Sequence, residues 1–245
     1  MDVPSLLEQL ATDGSTLVET VAGRDWDLAV PCTDWNLRQL VTHLGGIQRW
    51  ATEIVETRSP TGGTPASELV GSGPRDDELL EWFREGHEAL VETLSSAPDD
   101  LDCFTFLPAP SPRHFWTRRQ AHEQAIHRAD AEAATGREVT FFDADFAQDG
   151  LAEVLTGFGR RRSNAVARAG TLGLDAVDGA SWLITFGGER IEASETEELA
   201  STDVTVRGLS SDLYLWAWNR PSDAVVDGDP EIAALWGAAV QIRWG

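Results

Sequence analysis

The chain has 245 residues, of which 42% are hydrophobic, and its formal net charge is −22. This length allows one large domain or two small ones, and the negative charge argues against binding to nucleic acid or anionic membranes. All 19 basic residues are arginines, which excludes Schiff-base chemistry on a lysine amine. No apolar run reaches eighteen residues and the acidic N-terminal segment does not resemble a signal peptide, so we expect a cytoplasmic protein.

Four amphipathic helices are predicted in the first half of the chain. Apolar residues recur at helical spacing in four segments, at residues 4–22, 36–57, about 76–96 and about 114–136. Asn36, or Asp34 just before it, is a good N-cap for the second helix. A Gly/Pro/Ser-rich connector, residues 59–75, is predicted to be mobile. Four helices with polar outer faces indicate a bundle.

The pattern changes after about residue 145. A helical stretch over 147–169 leads into short alternating segments bounded by glycines, which predict strands at SWLITF, RIEAS and DVTVRG. The apolar segments LYLWAWN and EIAALWGAA are predicted to be helical, and the final VQIRW is a candidate strand. We therefore predict an α+β protein with a helical bundle over 1–145 and a smaller α+β domain over 146–245.

The five histidines differ in context. His43 lies in the apolar stripe of the second helix, where a histidine bonded to a neighbouring side chain is the competing interpretation. On the fourth helix Glu123 and His127 are four residues apart and share one face, although such pairs are also common on solvated surfaces. His122 lies about 100° around that helix from Glu123 and is predicted to face outward. His87 is predicted to be a core residue.

An inward histidine on one helix and a carboxylate–histidine pair on another can bind one metal ion inside a bundle. Imidazole and carboxylate ligands suit zinc, with iron, nickel or manganese as alternatives. Three protein ligands leave one coordination position open, as in catalytic zinc sites. The two cysteines, Cys32 and Cys103, do not suggest a second metal site, because they form no CxxC pair. They are predicted to be buried or half-buried free thiols.

Three segments carry a family resemblance. PCTDWNLRQLVTHLGGIQRWA (31–51) and EQAIHRADAEAATG (123–136) resemble the two metal-binding motifs of the mycothiol-dependent maleylpyruvate isomerase family, a group of DinB-like four-helix bundles. DVTVRGLSSDLYLWAWNR (203–220), followed by VDGD (226–229), is similar to that family's small sterol-carrier-like C-terminal domain. Asn36 departs from the hydroxyl residue that relatives tend to carry there, and either residue type caps a helix.

The resemblance implies a function and a set of site residues. His43, Glu123 and His127 would bind Zn²⁺, and the fourth position would take water or the thiolate of mycothiol, the low-molecular-weight thiol of actinobacteria. That thiolate would add to a small electrophile, either to isomerise a double bond or to form a stable adduct in an S-transferase. Two candidate catalytic residues follow: Arg220, to stabilise negative charge from a cleft between domains, and Asp130, to orient His127.

Each assignment has an alternative. In the alternative interpretation, Arg220 forms a surface ion pair with Asp223 or Asp227, and Asp130 is an ordinary exposed helix residue. Two histidines and one carboxylate also form the facial triad of non-haem iron enzymes. A third interpretation is a metal-stabilised binding protein without catalytic activity, with a lipid-like ligand in its second domain.

Overall fold

The computed structural model describes residues 1–71 and 73–241. The chain divides into two compact units, Met1–Thr140 and Phe141–Gly245. The first is helical, and the second combines helices with a five-stranded sheet, so the predicted α+β class is confirmed. None of the helices in the described ranges is both long and apolar enough to cross a membrane.

Four long helices build the first unit, and a short one lies between the second and third of them. The helices are α1 (Val3–Val21), α2 (Leu37–Thr57), α3 (Ala66–Val70), α4 (Leu79–Ser96) and α5 (Pro112–Ala134). Helix α1 packs along α5, and α2 packs along both α4 and α5. The apolar stripes of α1, α2 and α4 meet in a core that includes Leu17, Leu40, Leu44 and Phe83, all at most 1% exposed.

Side-chain caps fix the starts of α2 and α5. Asn36 accepts a hydrogen bond from the backbone N–H of Gln39, whose side chain accepts one from the Asn36 N–H, so the predicted cap is a full capping box. Ser111 caps α5 with a single bond, because its hydroxyl oxygen accepts a hydrogen bond from the backbone N–H of His114. The start of α2 and the start of α5 are thereby set, and these are the two helices that carry the candidate ligands.

The connector over 59–75 contains more order than its composition predicts. Helix α3 lies within it, and the indole N–H of Trp50 donates a hydrogen bond to the Gly62 carbonyl. Gly46 of α2 lies so close to Val70 that an added Cβ would be 2.6 Å from that side chain. The described part of this connector thus contacts α2, and its mobility stays a prediction.

The second unit is a mixed sheet with helices packed against it. Its elements are α6 (Ala144–Glu153), a π-helical turn (Val154–Phe158), a 3₁₀ turn (Arg162–Asn164), β1 (Gly170–Ala176), β2 (Ser181–Phe186), β3 (Glu192–Thr196), β4 (Val204–Gly208), α7 (Ser210–Ala217), β5 (Val225–Gly228) and α8 (Pro230–Ala239). The sheet order is β3-β2-β1-β4-β5, with β1 and β4 parallel and the other pairs antiparallel. Helices α7 and α8 pack against β1 and β4.

The second unit follows the prediction in most of its elements. The three predicted strands correspond to β2, β3 and β4, and the two apolar segments form α7 and α8. The helix predicted over 147–169 is wrong in its second half, because α6 ends at Glu153 and the chain leaves the π-helical turn at Gly159. The candidate strand VQIRW spans residues 240–244, and its last three residues lie outside the described ranges.

Candidate metal centre

Three predicted ligands from two helices converge at one point in the first unit. His43 of α2 places Nε2 3.1 Å from Oε1 of Glu123 on α5, and His127 Nε2 lies 3.4 Å from the same oxygen. One donor atom from each of the three residues lies within 4.8 Å of the other two. The glutamate and His127 are buried, so the alternative of a solvated surface pair is wrong.

The donor set and its spacing suit a divalent cation. Zinc binds imidazole nitrogen and carboxylate oxygen at about 2.0–2.2 Å, and two ligands of a tetrahedral site are then about 3.4 Å apart. Both distances to Glu123 Oε1, 3.1 and 3.4 Å, agree with that separation. Two imidazoles and one carboxylate are also a donor set that zinc accepts. The arrangement can hold a single cation with three protein ligands.

Glu123 is held as a carboxylate although it is buried. Burial alone would raise its pKa, but hydrogen bonds with His127 and His43 and the positive charge of Arg119 outweigh it and hold the pKa well below the ordinary value. Arg119 Nη2 donates to Glu123 Oε2 over 2.9 Å, on the side away from the histidines. The second oxygen is therefore fixed by the protein, and Oε1 is left facing both imidazoles.

Asp130 fixes the orientation of the His127 ring. Its Oδ2 lies 2.9 Å from Nδ1 of His127, and Asp130 is 3% exposed, so the alternative of an exposed helix residue is wrong. Burial lowers the pKa of His127, but the hydrogen bonds and charges of Asp130 and Glu123 outweigh it and raise the pKa. When Nδ1 carries the proton and donates a hydrogen bond to Asp130, the Nε2 lone pair points to the metal site.

Trp35 forms an aromatic wall beside the centre. Its ring centroid is 4.7 Å from that of His43 and 5.8 Å from that of His127. The loop that carries it is pinned to the start of α2 by a bridge between Ala29 and Asn36 and by the bond from the Val30 N–H to the Trp35 carbonyl. These backbone contacts thereby hold the indole beside both imidazoles.

Comparison with known proteins identifies the family. The family model described as the mycothiol maleylpyruvate isomerase N-terminal domain matches residues 7–132, which is 126 of the 245 residues. The chain belongs to this family. Helices α2 and α5, with all three candidate ligands, lie inside the matched range.

Two solved structures share the fold of this family member. One is the mycothiol-dependent maleylpyruvate isomerase and the other is a mutant of it, with TM-scores of 0.66 and 0.65. Each is 15% identical in sequence, and each comparison covers 93% of this chain and 93% of the other. This likeness establishes the fold. No curated protein matches the sequence.

Arg220 and the remaining histidines have the following surroundings. Arg220 is in the second unit just after α7, where its Nη1 donates to the Trp218 carbonyl over 2.8 Å. His87 is a buried core residue, as predicted, stacked on Phe83 with ring centroids 5.9 Å apart. His122 is fully buried, so its predicted outward orientation is wrong. Helix α5 is buried over most of its circumference between Phe115 and Glu132, which leaves little outer face for it.

The prediction that both cysteines are buried or half-buried holds for one of them. Cys103 is buried, as predicted, and burial raises the pKa of its thiol. Cys32 is exposed in the loop before α2, with a φ angle of 61°, so the prediction of a buried or half-buried thiol is wrong there. A positive φ is uncommon for a residue other than glycine and is typical of a tight turn.

Two residues that contact the candidate ligands were not predicted. Arg119 lies four positions before Glu123 on α5, which is the spacing of a helical ion pair, so its contact was readable from the sequence. Trp35 lies within the first family motif, but only the folded loop places its ring beside both histidines.

Proposed function

We propose that this chain is a zinc-dependent enzyme that uses mycothiol to isomerise maleylpyruvate or a closely related unsaturated acid, in the cytoplasm of an actinobacterium. One observation carries the proposal: His43, Glu123 and His127 offer three ligand atoms within 4.8 Å of one another. Membership of the mycothiol maleylpyruvate isomerase family and the shared fold of the named isomerase support the choice of thiol and substrate class.

In this proposal the three ligands hold the metal and leave a coordination position for a thiol. A divalent cation deprotonates a thiol bound to it, which supplies a nucleophilic thiolate at neutral pH. Arg119 keeps Glu123 charged and oriented through the 2.9 Å bond to Oε2. Trp35 limits the access of water to His43 and His127, which strengthens the electrostatic interactions within the site.

Asp130 and Arg220 have supporting roles in the proposal. Asp130 is a positioning residue that holds His127 in the tautomer with a free Nε2 lone pair. Arg220 is proposed to stabilise the negative charge that develops on the electrophile, since the sequence contains no lysine for that purpose. An Arg220→Gln variant is then expected to lower kcat while the affinity for zinc stays unchanged.

Metal and thiol binding test the first part of the proposal. The His43→Ala variant is expected to lose stoichiometric zinc, measured by elemental analysis, and to lose mycothiol binding, measured by calorimetry. His114→Ala is the matched control, because His114 lies outside the centre and bonds to the Met1 carbonyl. If His43→Ala kept the zinc content and mycothiol affinity of the control, the proposal would be abandoned.

Turnover tests the second part. The zinc-loaded protein is expected to convert maleylpyruvate to its trans isomer only when mycothiol is added. A stable mycothiol adduct as the sole product would replace the isomerase by an S-transferase. Activity that requires iron and oxygen but no thiol would instead identify a non-haem iron enzyme, which uses the same two-histidine, one-carboxylate donor set.

A further inference from the structure

Gln120 is a buried amide on the helix that carries two of the three candidate ligands. Its side chain is 2% exposed, and within the described part of the chain its Nε2 has no hydrogen-bond partner. Gln120 precedes Glu123 by three residues and His127 by seven, so the three side chains project from one face of α5. An N–H donor is thus buried one helical turn from the centre.

Contacts on both sides place Gln120 between α5 and α2. Towards the end of α5, His43 Nε2 of α2 lies 3.1 Å from Glu123 Oε1. Towards the start of α5, the ring centroids of Trp50 of α2 and Trp116 are 5.0 Å apart in an edge-to-face contact. The two helices are therefore antiparallel here, with Gln120 about midway between the contacts. The amide lies in the interface that joins the metal centre to this aromatic pair.

The neighbouring buried amides have partners. Gln48 Nε2 of α2 donates to Gln124 Oε1 over 3.0 Å, and Gln124 Nε2 donates to the Asp13 carbonyl over 3.4 Å. An unpaired buried amide destabilises a protein, whereas an apolar side chain of similar length would remove that cost. The bundle therefore satisfies two glutamines near the centre at least in part and leaves the Gln120 donor available.

We propose that Gln120 donates a hydrogen bond from Nε2 to a carbonyl or carboxylate oxygen of the small molecule that binds beside His43, Glu123 and His127. This inference rests on the proposed function, because it assigns Gln120 to the same site. The oxygen belongs either to the thiol or to the electrophile, since both classes carry such acceptors. Gln120 is then a positioning residue that orients the molecule along the interface of α2 and α5.

Gln120→Met is the test variant because methionine has a similar length and no amide. In the zinc-loaded protein, calorimetry with mycothiol and separately with maleate is expected to show at least a tenfold weaker affinity for one of them. The probe that loses affinity identifies the source of the oxygen. Zinc affinity and the thermal midpoint are expected to stay at or above the wild-type values, since no internal hydrogen bond is lost.

Gln124→Met is the matched control on the same helix. It breaks the bonds to Gln48 and Asp13, so it is expected to lower the thermal midpoint and to leave both ligand affinities unchanged. A second readout is the side-chain amide signal of Gln120 in nitrogen-15 NMR spectra of the wild type, assigned by its disappearance in Gln120→Met. We expect that signal to shift when the zinc-loaded wild type is titrated with the probe, mycothiol or maleate, whose affinity falls in Gln120→Met.

Two outcomes would overturn the inference about Gln120. One is equal affinity of wild type and Gln120→Met for both probes, with no shift of the amide signal. The other is a parallel loss of zinc affinity, which would make Gln120 a support of the metal centre alone. The proposed function is judged separately, by turnover of maleylpyruvate in the wild type, so failure of one is distinguishable from failure of the other.

Discussion

Acidification is expected to destabilise the bundle through His87. Burial between Phe83 and Gly14 lowers the pKa of this imidazole from 6.5 to about 4. The unfolded chain, with a pKa near 6.5, therefore binds a proton over a pH range in which the folded chain does not. Stability from this group is complete above pH 6.5 and is lost as the pH falls towards 4.

The magnitude follows from the two pKa values. A difference of about 2.5 pH units corresponds to about 3 kcal/mol of unfolding free energy in total, at about 1.4 kcal/mol per unit. Between pH 7.5 and pH 5 the loss is about 2 kcal/mol, because His87 would be almost fully protonated in the unfolded state and almost fully neutral in the folded state. Gly14 leaves no room for an added methyl group at this imidazole, so a charged ring has little space to recruit water there.

Urea unfolding of the full chain, followed by circular dichroism at pH 7.5 and pH 5, measures the effect. His87→Asn is the reference variant, since its side chain can still accept a hydrogen bond from Gln48 and does not titrate. The unfolding free energy of wild type minus that of the variant should fall by about 2 kcal/mol between pH 7.5 and pH 5, because only the wild type has a histidine at this position to titrate. A difference that stays constant within about 0.5 kcal/mol would refute a neutral buried His87.

Three further predictions concern local contacts. Gly14→Ala places a Cβ 2.0 Å from His87 Nε2, and urea unfolding should show a loss of about 1–3 kcal/mol from overpacking; an unchanged stability would contradict this close approach. Asn36→Ala removes the capping box of α2 and should cost about 1 kcal/mol in the same assay, against almost no loss for Asn36→Ser. Asp130→Asn weakens the hydrogen bond that orients His127 and should lower zinc affinity about tenfold in a competition titration. Helix content measured by circular dichroism is the control, and an unchanged zinc affinity would contradict this role of Asp130.

Helix α2 shows which parts of the bundle the sequence could predict. Leu40, Leu44 and Ile47 recur at helical spacing and are all buried, and Asn36 caps the helix as expected. Apolar periodicity and capping are local properties, so they survive in the sequence without knowledge of the fold. The inward position of His43 followed from the same stripe.

Helix α5 shows where sequence reasoning failed. Its charged and amide side chains predict a polar outer face, yet 17 of its 23 residues are buried. Buried ion pairs explain the difference: Arg119 pairs with Glu123, and Arg128 pairs with both Glu132 and Asp13. The Asp13 partner lies 115 residues away along the chain, so no local pattern could reveal that this face is buried.

The position of the Trp35 side chain could not be predicted for a different reason. Its composition predicts only a turn, while the position of the indole depends on backbone bonds that the loop makes with itself and with the start of α2. A ring placed by such contacts has no periodic signature. The sequence thus indicated which residues could bind a metal and left out the side chains that shape access to it.

The charges around the centre bear on which fourth ligand a bound divalent ion would take. Among the contacts of the described residues, Arg119 bonds to Glu123 and Asp130 bonds to His127. If both imidazoles are neutral, as metal ligands are, Glu123 and Asp130 contribute two negative charges and Arg119 one positive charge, so these residues together carry about −1. A divalent cation would change this to about +1, and a thiolate in the fourth position would then bring the buried site close to neutrality. Since uncompensated charge is costly in buried surroundings, this arrangement favours a bound monoanion over a neutral ligand.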